Sequence, residues 1–234
     1  MQKSKKFKGV AGKLTVIAEC KLRLKSKVFF ITIRKFCVLA KYNLLSKIRR
    51  KYIYTRSDGY SHHYANLLNQ NFEAIHINEI WNTDITYIIT PGGRLYLSVI
   101  RDAHDGFVIA YKTSTIQNVR LVIETVKKAL KHVKSGTILH SDQGFQYATA
   151  AYNLLTTQNG IMPSMSRKAT PLDNAPIESF FSALKSECIY LEKPKTMEEA
   201  RNLIEEYVDF YNYERVQLKH KASPAEVRKK YLSG

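Results

Sequence analysis

The pattern of apolar and polar residues changes at about residue 80. Residues 1–50 have no clean periodicity, although "RKFCVLAKYNLLSKIRRKY" (34–52) can place apolar side chains on one helical face. Residues 55–68 are polar and predict a linker. The pattern therefore indicates a partly helical N-terminal arm with a linker over residues 1–72 and a folded core over 73–234.

Three strands are predicted at the start of the core. The stretches "IWNTDITYIIT" (80–90), "RLYLSVIRD" (94–102) and "FVIAYKT" (107–113) are rich in residues that favour strands. Short segments containing Gly, "PGG" and "HDG", separate them. We therefore expect an antiparallel three-stranded meander.

Helices and two more strands are predicted downstream. One face of a helix over residues 116–134 carries apolar side chains, namely Val119, Val122, Ile123, Val126 and Leu130. Strands are predicted at 136–141 and 160–166, with a helix around 147–158 between them and a loop over 167–176. Three further helices are expected, with their caps at Asn174, at Thr196 in a capping box with Glu199, and at Ser223.

This order of elements, three strands, then alternating helices and strands, then further helices, predicts an α/β fold. Three hairpin strands followed by α/β crossovers form a mixed five-stranded sheet flanked by helices. Sheets of this kind place their functional sites at strand ends.

Net charge changes the interpretation of the arm. The chain of 234 residues carries a formal charge of +17. Residues 1–60 contain 17 Lys and Arg against two acids, so +15 lies in the arm and only +2 in the remainder. A basic segment beside a near-neutral core indicates contact with phosphates, although a solvated basic tail would have the same composition.

Cysteine spacing and hydropathy argue against other classes of protein. Cys20, Cys37 and Cys188 are far apart, so reduced thiols in a cytosolic protein are expected rather than a disulfide framework or a zinc site. No apolar run approaches the roughly 20 residues of a membrane span, and no signal-peptide pattern follows the basic start.

Three acids lie on elements that can bring them together. Asp84 lies within the first strand, Asp142 ends the fourth and Glu178 lies one turn into the helix after Asn174. If the fourth strand lies beside the first, the carboxylates converge and need a divalent metal, for which oxygen ligands favour Mg²⁺ or Mn²⁺. Singly, each acid is more often an edge residue or a solvated one. A Ser-His-Asp reading of residues 140–142 is rejected, because consecutive strand residues point to opposite faces.

The spacing of these acids resembles a known catalytic core. Thirty-five residues separate Asp142 from Glu178, and Lys185 follows Glu178 by seven. With "WNTDITYI", "HSDQGFQY" and "SMSRKATPLDNAPIESFFSALKSE", this resembles the D-D-E core of retroviral integrases and of bacterial insertion-sequence transposases of the IS-three group. The resemblance covers residues 79–228 and implies a ribonuclease-H-like fold.

The resemblance also implies a mechanism and its partners. Two Mg²⁺ ions, for which Mn²⁺ would substitute, are expected on Asp84, Asp142 and Glu178, to support DNA strand cleavage and strand transfer at element ends. The partners implied are element-end and target DNA, further copies of the chain and an upstream-frame helix-turn-helix protein, in the bacterial cytoplasm at the nucleoid. The DNA-contacting side chains expected are Lys185, Arg167, Lys168, Lys47, Arg49, Arg50 and Lys51.

The arm departs from the family pattern. Such transposases carry a helix-turn-helix region before the core, and residues 1–40 match it poorly. The arm is a degraded or partial region of this kind, or the chain is the downstream part of a fused enzyme. Two rivals remain to the transposase reading: a catalytically inactive DNA-binding remnant and a structure-specific nuclease.

Overall fold

The computed structural model describes residues 62–168 and 170–233. Predictions for the arm, including the helix over 34–52 and the DNA contacts at Lys47, Arg49, Arg50 and Lys51, lie outside the described residues.

The sheet has five strands in the order β3-β2-β1-β4-β5. Its strands are β1 (Ile80–Thr90), β2 (Gly93–Asp102), β3 (Val108–Ser114), β4 (Ile138–Ser141) and β5 (Met162–Met165). β1, β2 and β3 form an antiparallel meander, whereas β4 and β5 run parallel to β1. The predicted mixed sheet is confirmed, and so is the condition that the fourth strand lies beside the first.

Six α-helices occur among the described residues. They are α1 (Val119–Ala129), α2 (Ala150–Gln158), α3 (Ala175–Leu184), the short α4 (Tyr190–Glu192), α5 (Met197–Tyr213) and α6 (Pro224–Ser233). A π-helical turn over Lys185–Ile189 joins α3 to α4, so that they form one continuous helical segment. None of the helices in this part of the chain is both long and apolar enough to cross a membrane.

Each face of the sheet has its own hydrophobic core. On one face, Leu97 and Val99 of β2 pack with α3, the π turn and α5. On the other face, Ile100 packs with α1, α2 and Trp81. The division follows from alternation, since Val99 and Ile100 are neighbours on one strand and point to opposite faces. Helices therefore cover both sides of the strands that carry the acids.

Details of helix α1 and of the loop before α3 differ from the sequence predictions. The predicted helix over residues 116–134 begins later, because the Asn118 side chain caps it by accepting from Leu121 N, and it ends in a 3₁₀ turn. Its buried face is also rotated: Val119 and Ile123 are only partly buried, whereas Leu121 and Thr125 are buried. The loop over 167–176 contains a 3₁₀ turn at Pro171–Asn174.

The first residues of the helices were predicted more accurately than the capping hydrogen bonds at those positions. Asn174 occupies the cap position of α3, but its side chain makes no capping hydrogen bond. At α5, Thr196 Oγ1 accepts from Glu199 N at 3.1 Å as predicted, while Glu199 Oε2 accepts from Lys195 N instead of Thr196 N. At α6, Ser223 and Glu226 exchange both bonds of a capping box.

Candidate active site

Asp84 lies in the middle of the sheet and faces α3. It pairs in register with Val99 of β2, whose side chain belongs to the core beneath α3, and paired residues of adjacent strands share a face. One carboxylate oxygen accepts a hydrogen bond from Ile85 N at 2.6 Å. Burial, and then the charge of Asp142, hold the pKa of Asp84 well above its ordinary value. The side chain is therefore placed where a negative charge is costly.

Asp142 follows directly on β4, beside β1. Asn82 pairs with His140, so residues 82, 84, 140 and 142 fall on the same face by alternation. Asp142 Oδ1 accepts from Gly144 N at 2.9 Å, in a turn that fixes the carboxylate at the strand end. A Cβ at residue 144 would lie 2.9 Å from that same oxygen, so any other residue there would have to displace the carboxylate. Burial raises the pKa of Asp142.

Glu178 reaches the same region from the first turn of α3. Its side chain is exposed, unlike those of Ile177 and Phe181, which pack into the core. The N-terminus of a helix favours the charged form of a carboxyl group. Desolvation and the charge of Asp142 outweigh that effect, because the pKa of Glu178 is raised. The charges of both Asp142 and Glu178 act on Asp84, so the structure brings the three predicted acids into one electrostatic group.

The chemistry of this group suits a hard cation, although the side chains are not closed around one. Within residues 62–168 and 170–233, no three His, Cys, Asp or Glu side chains are arranged closely enough to hold a metal ion. All three carboxyls have raised pKa values because burial disfavours the charged form, and neighbouring carboxylates add to the effect at Asp84 and Glu178. Carboxylate oxygens alone favour Mg²⁺ or Mn²⁺ over softer metals, so the donor set fits.

Lys185 is placed differently from a surface phosphate contact. It is only 6% exposed, and its Nζ lies 5.5 Å from the ring centroid of Tyr87. Burial lowers the pKa of Lys185 to about 8, against an opposing effect of Asp84. The sequence placed this side chain beside Glu178, whereas in the fold its charge acts on Asp84.

The two other predicted DNA contacts of the core are at the surface. Arg167 donates from Nε and Nη2 to Asp173 at 3.0 and 2.9 Å, and half of its side chain remains exposed. Lys168 is exposed. Neither placement tests a contact with DNA.

Sequence reasoning assigned no role to Tyr147, although it lies in the quoted stretch "HSDQGFQY". It is 1% exposed, and the charges of Asp84 and Asp142 help burial to raise the pKa of its hydroxyl. Asp173, discussed below, was also missed. Both are polar residues on short 3₁₀ turns, where no periodicity marks a side chain as buried.

Comparisons with known proteins identify the family of the chain. Residues 76–171 and 178–232 match two families that are both described as integrase core domains. The chain is 41% identical over 170 residues to an uncharacterized transposase-like protein of Haemophilus influenzae, covering 72% of this chain and 79% of that protein. It is 39% identical to the putative transposase InsK for insertion sequence element IS150 of Escherichia coli, with 70% of this chain and 59% of the relative covered. A third relative is the transposase InsF for insertion sequence IS3A of Escherichia coli, at 37% identity over 62% of this chain and 51% of the relative.

Solved structures support the fold. The simian T-cell lymphotropic virus intasome superimposes with a TM-score of 0.58 at 17% identity, covering 73% of this chain and 60% of that chain. The HTLV-2 integrase catalytic core domain in complex with magnesium gives a TM-score of 0.53 at 16% identity, over 66% of this chain and 99% of that domain. The fold is thus that of retroviral integrase cores, and the chain belongs to the insertion-sequence transposases with an integrase core domain, in the group that includes the transposase of IS3.

Proposed function

We propose that the protein cleaves DNA strands at the ends of an insertion element and joins them to target DNA, using divalent metal ions held by Asp84, Asp142 and Glu178. The observation that carries this proposal is the convergence of three carboxyls from β1, β4 and α3, each with a raised pKa. The family and the magnesium complex of the HTLV-2 core support divalent metal use.

The three acids have different roles in holding metal ions, according to the element on which each lies. Asp84 and Asp142 are held by the central strands, and their backbone hydrogen bonds orient one oxygen of each. Glu178 is exposed and comes from a helix, so it can move toward the aspartates when their charge is neutralised. Bound metal ions would supply activation of the attacking oxygen and stabilisation of the leaving oxygen at a phosphodiester.

Double-stranded DNA is the proposed partner. Lys168 and the exposed part of Arg167 border the loop before α3, and the basic arm adds Lys47, Arg49, Arg50 and Lys51. We also propose assembly of several copies on DNA, an upstream-frame helix-turn-helix partner and a location in the bacterial cytoplasm. A contact between Lys185 and a DNA phosphate stays a prediction. The side chain is buried and its charge interacts with that of Asp84, which favours a role in balancing the charge of the acids.

The test is incubation of the full chain with labelled element-end DNA and Mg²⁺ or Mn²⁺, scoring cleavage and joining separately. Cleavage with joining is the expected result, and Asp84→Asn, Asp142→Asn or Glu178→Gln should abolish both while DNA binding persists. Cleavage without joining would identify a structure-specific nuclease on the same fold. Binding with neither reaction would identify an inactive remnant.

A further inference from the structure

The buried carboxylate of Asp173 joins three segments of the chain. Its side chain is fully buried, and it accepts hydrogen bonds from Arg167 N, Nε and Nη2 at 2.9, 3.0 and 2.9 Å. It also accepts from Asn66 Nδ2 at 2.8 Å and from Gln70 Nε2 at 3.0 Å. Asn66 and Gln70 are more than 100 residues away in the chain, in the segment that leads from the arm into the core. The carboxylate therefore fastens this linker to the loop before α3.

The linker is further ordered around Asn66. The oxygen of the Asn66 amide accepts from Leu68 N and Asn69 N at 3.0 and 2.9 Å, and Leu68 is buried. Since a carboxylate can only accept, the amide nitrogens of Asn66 and Gln70 must both be the donors to Asp173. Residues 66–70 are thus held in one conformation by the same acid.

The backbone of Asp173 is tied to the strand that carries Asp142. His140 Nε2 lies 2.9 Å from the carbonyl oxygen of Asp173, so Nε2 must donate and the ring is the Nε2–H tautomer if neutral. His140 Nδ1 then accepts from Ser164 Oγ at 2.9 Å, and Ser164 Oγ accepts from Leu67 N at 3.0 Å. Burial lowers the pKa of His140, which agrees with a neutral ring. The bonds link β4, β5, the linker and the loop in one connected network.

This network reaches positions close in the chain to two of the acids. His140 precedes Asp142 by two residues, and Asp173 precedes Glu178 by five. The core face of α3 packs on the sheet, but the Asn174 side chain makes no capping bond at the start of the helix. The 3₁₀ turn that carries Asp173 runs directly into α3, so the bonds of Asp173 to β4 and to the linker help to hold the first turn of the helix.

We infer that Asp173 is a positioning residue, which holds Glu178 in reach of Asp142 and fastens the linker from the basic arm to that site. The inference rests on the proposed function for the role of Glu178. It predicts that removing the hydrogen bonds of the linker to Asp173, without changing Asp84, Asp142 or Glu178, slows the chemical step.

The principal test substitutes the acid by its amide in the full chain. In Asp173→Asn, the one remaining oxygen keeps its donors, whereas the new amide nitrogen faces a donor of Arg167 together with that of Asn66, at the Oδ2 position, or that of Gln70, at the Oδ1 position. We expect kcat for strand cleavage to fall by about 10- to 100-fold, because small displacements of catalytic groups have effects of this size. The KM for element-end DNA should stay within about twofold, since the Asp173 side chain is fully buried and is not available to DNA. The matched control is Glu198→Gln, which breaks the exposed ion pair with Arg201 at 2.7 Å and should change neither quantity.

A second variant, which retains Asp173, and a second measurement, which does not depend on activity, complete the test. The double substitution Asn66→Ala with Gln70→Ala leaves the pair of Asp173 with Arg167 intact and should lower kcat in the same direction. Hydrogen–deuterium exchange of the metal-free protein should rise at residues 170–178 in both variants, and the increase in Tm on adding Mg²⁺ alone should shrink. A drop in kcat no larger than that of the control, or a change in KM alone, would overturn the inference. If the wild type neither cleaves nor joins DNA, the proposed function fails, while the exchange and Mg²⁺ readouts still decide the role of Asp173.

Discussion

Among single residues, Asp84 carries the largest electrostatic strain of the site. Both other acids raise its pKa, and Lys185 is the cation that opposes them. Three converging carboxylates repel one another in the metal-free protein, and a bound cation would reverse that balance. The folded state without metal should therefore gain from the loss of one charge.

We expect Asp84→Asn to raise the Tm of the metal-free protein at pH 7 by a few degrees, since about 1 kcal/mol corresponds to about 2–4 °C in a chain of this size. Mg²⁺ should raise the Tm of the wild type but hardly that of the variant, because a ligand stabilises the folded state only as far as it binds to it, and the variant has lost one carboxylate ligand. Differential scanning calorimetry with and without Mg²⁺ measures both effects. A lower Tm for the variant in metal-free buffer would show that repulsion at this site is unimportant.

Lys185 should show the opposite behaviour. Lys185→Met removes the cation that acts on Asp84, so the metal-free variant should have a lower Tm than the metal-free wild type. It should have a smaller effect in the Asp84→Asn background, because the charge it balances is absent there. Equal changes in Tm in both backgrounds would show that Lys185 and Asp84 do not interact energetically. In the same variant, the slope of log binding constant against log salt should fall by about one if Lys185 contacts a DNA phosphate.

The residues that could be read from the sequence were those on periodic elements. Asp84 lies on a strand and Asp142 directly follows one. The i, i+4, i+7 spacing of Ile177, Phe181 and Leu184 is that of a helical core face, and all three are buried. Asp173 lies on a loop with no periodicity, and two of its partners are more than 100 residues distant. Pattern alone cannot reveal such a contact, because it depends on how the linker returns across the finished sheet.

At the scale of elements, α6 is attached to the sheet by a buried ion network. Arg228 donates to Asp102 and to Asp105, each at 2.6 Å, and lies over the ring of Phe107. Burial, followed by the charge of Asp105, raises the pKa of Asp102 to about 6. Asp102 therefore binds a proton more readily in the folded state than in the unfolded state, where its pKa is about 3.9. Its contribution to the free energy of unfolding falls as pH rises from about 4 to about 6.

We expect Arg228→Met to destabilise the protein strongly at pH 7, by about 3–5 kcal/mol, because both aspartates lose their buried partner. The loss should be smaller at pH 5, where Asp102 takes up a proton and no longer needs the cation. Urea unfolding at the two pH values measures the difference. Arg201→Met, which removes an exposed pair, should cost less than about 1 kcal/mol at either pH. An equal loss at both pH values for Arg228→Met would mean that Asp102 stays charged throughout.

The capping motifs illustrate what element-scale prediction captures. Thr196 and Ser223 were identified as caps, and their side chains accept from the third residue of each helix. The partner of Glu199 was wrong by one residue, since Lys195 N donates to it. Local sequence indicates where a helix begins, whereas the choice between adjacent backbone donors depends on the path of the preceding chain.

For the whole molecule, charge and fold are segregated along the chain. Residues 1–60 carry +15, while the sheet and helices that the structure describes, within residues 62–168 and 170–233, lie beyond residue 79. Phosphate neutralisation provides affinity that depends on salt but not on sequence, since sequence is read at base edges. The arm should therefore contribute general DNA affinity more than recognition of element ends.

Deleting residues 1–60 should weaken binding to element-end and scrambled duplexes by a similar factor and should reduce the salt dependence of both. The remaining chain should keep its fold, as judged by circular dichroism, because it contains the whole of the five-stranded sheet and of the helices that the structure describes. Filter binding over a range of salt concentrations, with and without the arm, provides the comparison. A large selective loss for the element end would place a helix-turn-helix region within residues 1–52.

The position of β1 between β2 and β4 has a consequence for synthesis of the protein. β2 follows β1 after a tight turn, but 47 residues separate the end of β1 from the start of β4. At typical translation rates of about 5–20 residues per second, the edge of β1 at Ile80–Asn82, which pairs with β4, waits about 2–10 s for its neighbour. An unpaired strand edge is a template for aggregation. We therefore expect a chain that ends within this interval to aggregate or to be degraded.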